Sequence, residues 1–213
     1  MARRDRRDTL RRRRPFRTPH PRFLIVCEDT KTEPGYFKAM RHLEKSLIEL
    51  ELVSPGKKPK PLVEHAVAMK KEAAARAKRE KDENLNYDHV WCVFDVDEHP
   101  YLPEAKQQAR DNGIEVAVSN PCFELWLLLH FCDQRAHIER GPLQEKCRKC
   151  RKEMRGYEKQ LPTSLLHTLY ADALQRAMAL DEWQERRGCA EANPSTGVYR
   201  LMEQIRTLGK PVN

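Results

Sequence analysis

The chain has 213 residues, enough for one domain of ordinary size with an appendage. Charged residues make up 34% of it and no stretch approaches the ~18 apolar residues of a membrane span, so a soluble, cytoplasmic, non-membrane chain is expected. The net charge of +8 lies wholly in residues 1–22, which hold ten arginines and two aspartates, while the other 30 basic and 30 acidic residues cancel.

Residues 1–22 read as a disordered arm, ending in Thr18-Pro19-His20-Pro21, whose prolines discourage helix. No apolar core follows the arginines, against a secretory signal, and Asp5 and Asp8 are uncommon in an organelle transit peptide. Arg11, Arg12, Arg13, Arg14 and Arg17 are candidate nucleic-acid contacts, and a solvated, solubilising tail accounts equally well for the same charge. The body carries no charge excess, so electrostatic attraction of nucleic acid must come from the arm or from local patches. Seven cysteines, an odd number without a signal peptide, point to a reducing compartment. Cys27, Cys92 and Cys122 lie in apolar contexts, where cysteine behaves as a small hydrophobe.

A strand over 23–27 delivers Glu28, with Glu33 shortly after. Glu33-Pro34-Gly35-Tyr36-Phe37 reads as a helix start with proline in the first turn, and Phe37, Met40, Leu43 and Leu47 continue at helical spacing. A strand over 48–53 and a loop over 54–61 precede a helix over 62–80, apolar on one side and basic on the other. The strand 90–94 ends in Asp95-Val96-Asp97. A helix over 102–112 stops at Asn112-Gly113, and a strand over 114–118 follows. A loop from Ser119 leads into a nearly all-apolar helix ending near Phe131, which must be buried. Further helices are expected over 142–153, 162–168, 170–185 and 197–208, the last entered through Asn193-Pro194-Ser195-Thr196 with Ser195 or Thr196 as N-cap. The alternation predicts an α/β fold over 23–131: a Rossmann-like parallel sheet of about four strands with helices on both faces. Residues 132–213 are expected to form a helical part packing on that sheet.

Carboxylates at the carboxyl ends of neighbouring parallel strands point into one crevice, and they repel one another unless a cation sits between them. Mg²⁺ (or Mn²⁺) suits such a site, with Glu28, Asp95 and Asp97 as candidate ligands. Glu28 serves either as a ligand or as general base. Lys31 either stabilises charge on a phosphate or is a solvated loop lysine, and Glu33 either supports the site or is the acidic first turn of a helix. Glu124 interrupts an apolar helix, and a buried carboxylate needs a cation, an arginine or a metal-bound water; a supporting role is favoured over direct ligation. His130 reads as a satisfied core histidine. Cys147-Arg148-Lys149-Cys150 supplies only two of the four ligands of a zinc site, which Cys132, His130 or His137 would have to complete, and it fits one turn of a basic helix as well.

Four separated strings carry a family resemblance: Leu24-Ile25-Val26-Cys27-Glu28-Asp29-Thr30-Lys31-Thr32-Glu33-Pro34, Phe94-Asp95-Val96-Asp97-Glu98-His99, Ser119-Asn120-Pro121-Cys122-Phe123-Glu124-Leu125-Trp126, and Asn193-Pro194-Ser195-Thr196. In this order they resemble the RloB-like proteins, over roughly residues 11–208. RloB is found beside restriction-modification and other phage-defence genes, and its fold is similar to the topoisomerase–primase (TOPRIM) domain. TOPRIM enzymes share a glutamate after the first strand and an Asp-x-Asp after the third; Glu28 and the Asp95/Asp97 pair look like those positions. The resemblance implies Mg²⁺-dependent cutting or joining of nucleic acid, with an ATPase or restriction-modification components as possible partners. Glu28-Asp29 stands where the common pattern has Glu-Gly, and aspartate tolerates the left-handed backbone that glycine would supply. The chain has no strand-passage or template-binding module, so hydrolysis of RNA or DNA in anti-phage defence is the expected activity. The alternative is a catalytically silent subunit that keeps the TOPRIM shell to bind nucleic acid or protein.

Overall fold

A computed structural model describes residues 20–96, 101–153 and 163–210. The elements in chain order are β1 (Arg22–Cys27), α1 (Thr32–Leu43), β2 (Glu49–Val53), α2 (Pro59–Glu80), β3 (His89–Asp95), α3 (Leu102–Asp111), β4 (Glu115–Asn120), α4 (Glu124–Leu129), α5 (Arg140–Glu153), α6 (Thr163–Thr168), α7 (Tyr170–Arg186), β5 (Ser195–Thr196) and α8 (Val198–Leu208). The strands form one sheet in the order β2-β1-β3-β4-β5, parallel except for β5, which runs antiparallel to β4. This is the Rossmann-like α/β arrangement that the alternation predicts.

Side chains along β1 alternate between two cores, as the period of a strand requires. Phe23, Ile25 and Cys27 pack with Tyr36, Phe37 and Met40 of α1, with α4 and with the C-terminal helices α7 and α8. Leu24 and Val26 pack with Leu62, Val63 and Ala66 of α2 and with Ala105 and Ala109 of α3. Both faces of the sheet are covered, which is why β1 and β3 read as unbroken apolar runs. From β1 the chain passes over one face through α1 to β2; from β3 it passes over the other face through α3 to β4. The carboxyl ends of β1 and β3 therefore flank a topological switch point, where open α/β sheets bind their ligands.

Four expectations change. The sheet has a fifth strand: Ser195 and Thr196 pair with Asn120 and Ser119, and Thr196 Oγ1 lies 2.9 Å from Ser119 Oγ. Two residues are too few to show a period, so the sequence reads as a helix entry only. The N-cap of α8 is accordingly Gly197, and the C-terminal part is not purely helical. The basic helix begins at Pro59, inside the expected loop, because a residue without an N–H fits the first turn. The apolar helix is shorter than expected, with Glu124 starting it rather than interrupting it. Arg22, assigned to the arm, opens β1, its backbone N–H donating to the Asp88 carboxylate at 2.7 Å and its guanidinium lying over the Tyr87 ring. Arg11, Arg12, Arg13, Arg14, Arg17 and Asp97 lie outside the described residues. No helix among the described residues is long and apolar enough to cross a membrane.

One close approach joins the chain's far end to its beginning. The carbonyl of Gly209, just past α8, accepts from Leu47 N–H at 2.9 Å, and a Cβ on Gly209 would stand 1.8 Å from Ser46 Oγ and 2.7 Å from the Ile205 carbonyl. The hydroxyl can rotate away; the carbonyl cannot. Gly209→Ala is expected to destabilise the fold by ~1–3 kcal/mol, read as a lower urea midpoint at unchanged slope. An unchanged midpoint would show that the α8 end is not docked here.

Candidate acidic site at the β1–β3 crevice

Backbone pairing continues one residue beyond β1: Glu28 N–H donates to the Val93 carbonyl at 3.0 Å. Glu28 is thereby fixed beside the end of β3, and its Oε2 accepts from Asp95 N–H at 3.3 Å. Asp95, the last residue of β3, accepts at Oδ1 from Phe123 N–H at 2.8 Å and at Oδ2 from Arg140 Nη2 at 2.6 Å. Glu33, in the first turn of α1, is 1% exposed and accepts from Asp29 N–H at 3.3 Å. Glu124 opens α4 and accepts from Gln144 Nε2 at 3.1 Å. Asp29, Glu33, Asp95 and Glu124 supply acidic walls to a pocket of about 150 Å³, and Arg140 and Gln144, one turn apart on α5, bring hydrogen-bond donors to it.

The acids perturb one another. Burial, then the charges of Asp95, Asp29 and Glu28, push the Glu33 carboxyl up to about 9, against the pull of the Asp29 N–H. Burial likewise pushes Asp95 up to about 8, with Glu124 and Glu28 adding to it and Arg140 opposing it. Both carboxyls are thus raised mainly by burial, with the neighbouring acids adding to it. Asp29 goes the other way: burial works against its charge, but the backbone N–H groups of Thr32, Lys31 and Thr30 hold its carboxyl below the ordinary range. Its Oδ2 takes the Lys31 and Thr32 N–H groups at the start of α1. Asp29 does not adopt the left-handed backbone; Lys45, Lys81 and Glu191 do. Its charge serves the helix entry.

Glu33, Asp95 and Glu124 line one pocket, and Glu28 stands beside it, bonded to the Asp95 N–H. Lys31 does not join them: it is exposed at the N-cap of α1 and does not line the pocket. Glu124 is half-buried rather than buried, with Gln144 as its partner. His130 is a core histidine, its Nδ1 2.9 Å from the Trp126 carbonyl, and burial pushes its pKa down to about 4, so it is neutral. Cys147 is buried, and Cys132 and Cys150 pack against the same core, while His137 pairs with Glu139 at 2.9 Å.

Sequence reasoning missed Arg140, 45 residues from the carboxylate it pairs with. No local signal marked it, since the helix expected over 142–153 begins after Arg140, and only the structure starts α5 at that residue. It also missed the use of Asn193, whose side chain accepts from Ile138 N–H at 3.1 Å and donates to the Ile138 carbonyl at 2.9 Å, clamping the chain two residues before Arg140.

Among the described residues no three His, Cys, Asp or Glu side chains stand together as a ready ligand set. Mg²⁺ commonly takes only one or two carboxylates and fills its octahedron with water and phosphate oxygens. Glu28 and Asp95, hard oxygen donors on adjacent strand ends with the buried Glu33 beside them, fit that requirement. Residues 23–205 match the family model described as RloB-like protein. No curated protein and no solved structure matches the chain.

Proposed function

From the premise that the chain belongs to the RloB-like family, we propose that it is a Mg²⁺-dependent nuclease of TOPRIM type, hydrolysing phosphodiester bonds in RNA or DNA in anti-phage defence. The observation that carries the proposal is that the Glu28 carboxylate reaches the end of β3 across the β1–β3 switch point, accepting from the Asp95 backbone N–H at 3.3 Å, with Glu33 buried nearby. Glu28 and Asp95 hold the ion, with Asp97 of the same Asp-x-Asp string as a third candidate. When bound, Mg²⁺ polarises the scissile phosphate and lowers the pKa of water. The Phe123 N–H fixes the orientation of Asp95, and the buried Glu33, pushed up to about 9 by burial and its acidic neighbours, stands close to the crevice. Gln144 orients Glu124 at the pocket wall. Lys31, exposed beside the crevice, is left to meet the nucleic acid outside the pocket, together with the arginines of the arm.

One observation favours the second reading, a silent binding subunit: both oxygens of Asp95 already have a partner. Incubating the full chain with total RNA, tRNA and plasmid DNA, in Mg²⁺ or Mn²⁺ and again with chelator, separates the two. Cutting that needs the divalent ion is expected. Nucleic-acid binding without cutting in any of these conditions would establish the silent subunit instead.

A further inference from the structure

We propose that Arg140 is the phosphate-binding residue of the acidic site, docked on Asp95 at rest and released to the nucleic acid when a divalent ion takes Asp95, and that Asn193 positions it. The inference rests on the metal-dependent reading above and names how that site changes hands between its own cation and an added one.

Arg140 sits where a cation is otherwise unfavourable, at the first residue of α5 and facing the positive end of the helix dipole. Asp95 supplies the compensating charge at 2.6 Å. The pair is uneven: the Asp95 side chain is 15% exposed and the Arg140 side chain 42%. Asp95 is therefore fixed in the crevice, held from the other side by Phe123 N–H, whereas the Arg140 side chain is the more open member of the pair and belongs to neither apolar core. An ion bound to Glu28 and Asp95 would bring positive charge against the guanidinium, and like charges at that range repel. The planar guanidinium matches a phosphodiester, which it grips through two parallel N–H bonds. Its pivot stays in place because the Asn193 side chain closes a two-bond clamp on Ile138, and Gln144, one turn along α5, is anchored on Glu124. Asn193 and Gln144 thus hold the segment while only the Arg140 side chain moves.

The test compares the parent chain with Arg140→Gln, Arg140→Lys and Asn193→Ala by fluorescence anisotropy, using a short single-stranded RNA and the DNA of the same sequence. Ca²⁺ stands in for Mg²⁺ to keep the strands whole, and each titration is repeated in chelator. Arg140→Gln is expected to weaken binding about tenfold in Ca²⁺ and to leave it unchanged in chelator, where the arginine is docked. Arg140→Lys is expected to recover part of that loss, since it keeps the charge but not the fork. Asn193→Ala should lose affinity in Ca²⁺ only, with helical content retained by circular dichroism. Calorimetry with Ca²⁺ alone should show several-fold tighter binding to Arg140→Gln, because a competing cation is gone. Equal losses in Ca²⁺ and chelator would overturn the docked state, and no loss in either would reduce Arg140 to a structural ion pair. Parent chain that binds no divalent ion in the calorimeter would instead defeat the metal reading itself, whatever Arg140 does.

Discussion

Asp95→Ala is expected to lower metal-dependent cutting on the order of 10²- to 10³-fold, the scale for loss of one preorganised electrostatic contact in a water-poor site. Asp95 is the hinge of the crevice: it meets Glu28, Phe123 N–H and Arg140 at once, and its charge is the largest contribution to Glu33 after burial. Removing it has a second, separable consequence. The Phe123 N–H loses its acceptor, an omission that costs ~1–3 kcal/mol when the group is buried. Asp95→Asn keeps an acceptor at Oδ1 and the shape, but not the charge, so it should retain stability while losing cutting to the same extent. Assays of both variants on one substrate, with urea melts alongside, distinguish a lost ligand from a weakened fold. Full cutting by Asp95→Asn would place the chemistry elsewhere.

The second large effect is on stability in the absence of metal. Burial and its acidic neighbours push the Glu33 carboxyl up to about 9 in the folded chain, against an ordinary value of 4.5. Between those limits the folded Glu33 keeps a proton that the unfolded chain releases. Its stabilisation is complete at low pH and is lost as pH rises through the window, with a slope of up to ~1.4 kcal/mol per pH unit. The parent chain in chelator should therefore melt at progressively lower temperature from pH 5 to pH 8. Glu33→Gln is neutral throughout and keeps an oxygen for Asp29 N–H, so the fall should be shallower and the variant should be the more stable protein at pH 8. Parallel curves for the two proteins would mean that Glu33 ionises freely.

The apolar runs of β1 and β3 and the acids at their ends were legible because a strand buried on both faces leaves no polar positions, and its first polar residue marks its exit. Glu28 and Asp95 were found in this way, and Glu33 from its place a few residues on, in the first turn of α1. Glu124 was found too, though as a buried interruption rather than as the half-buried first residue of α4, since an apolar run does not show where its helix begins. Arg140 and Asn193 were not legible as site residues. Each is an ordinary polar residue in its own neighbourhood, and only the return of the chain to the sheet gives it a partner. The two-residue β5 was invisible for a related reason: its hydrogen bonds belong to β4, not to any local pattern.

By itself the sequence determined the alternation of strands and helices, the two acid-tipped strand ends and the family to which they belong, because each of these is written in contiguous residues. The tertiary structure decided that β1 and β3 are neighbours, that Arg140 is the cation facing Asp95, and that burial raises the proton affinity of Glu33. Strand order depends on which face each crossover takes, and a proton's affinity depends on burial and on charges brought in from distant segments. Neither quantity exists until the chain has closed on itself.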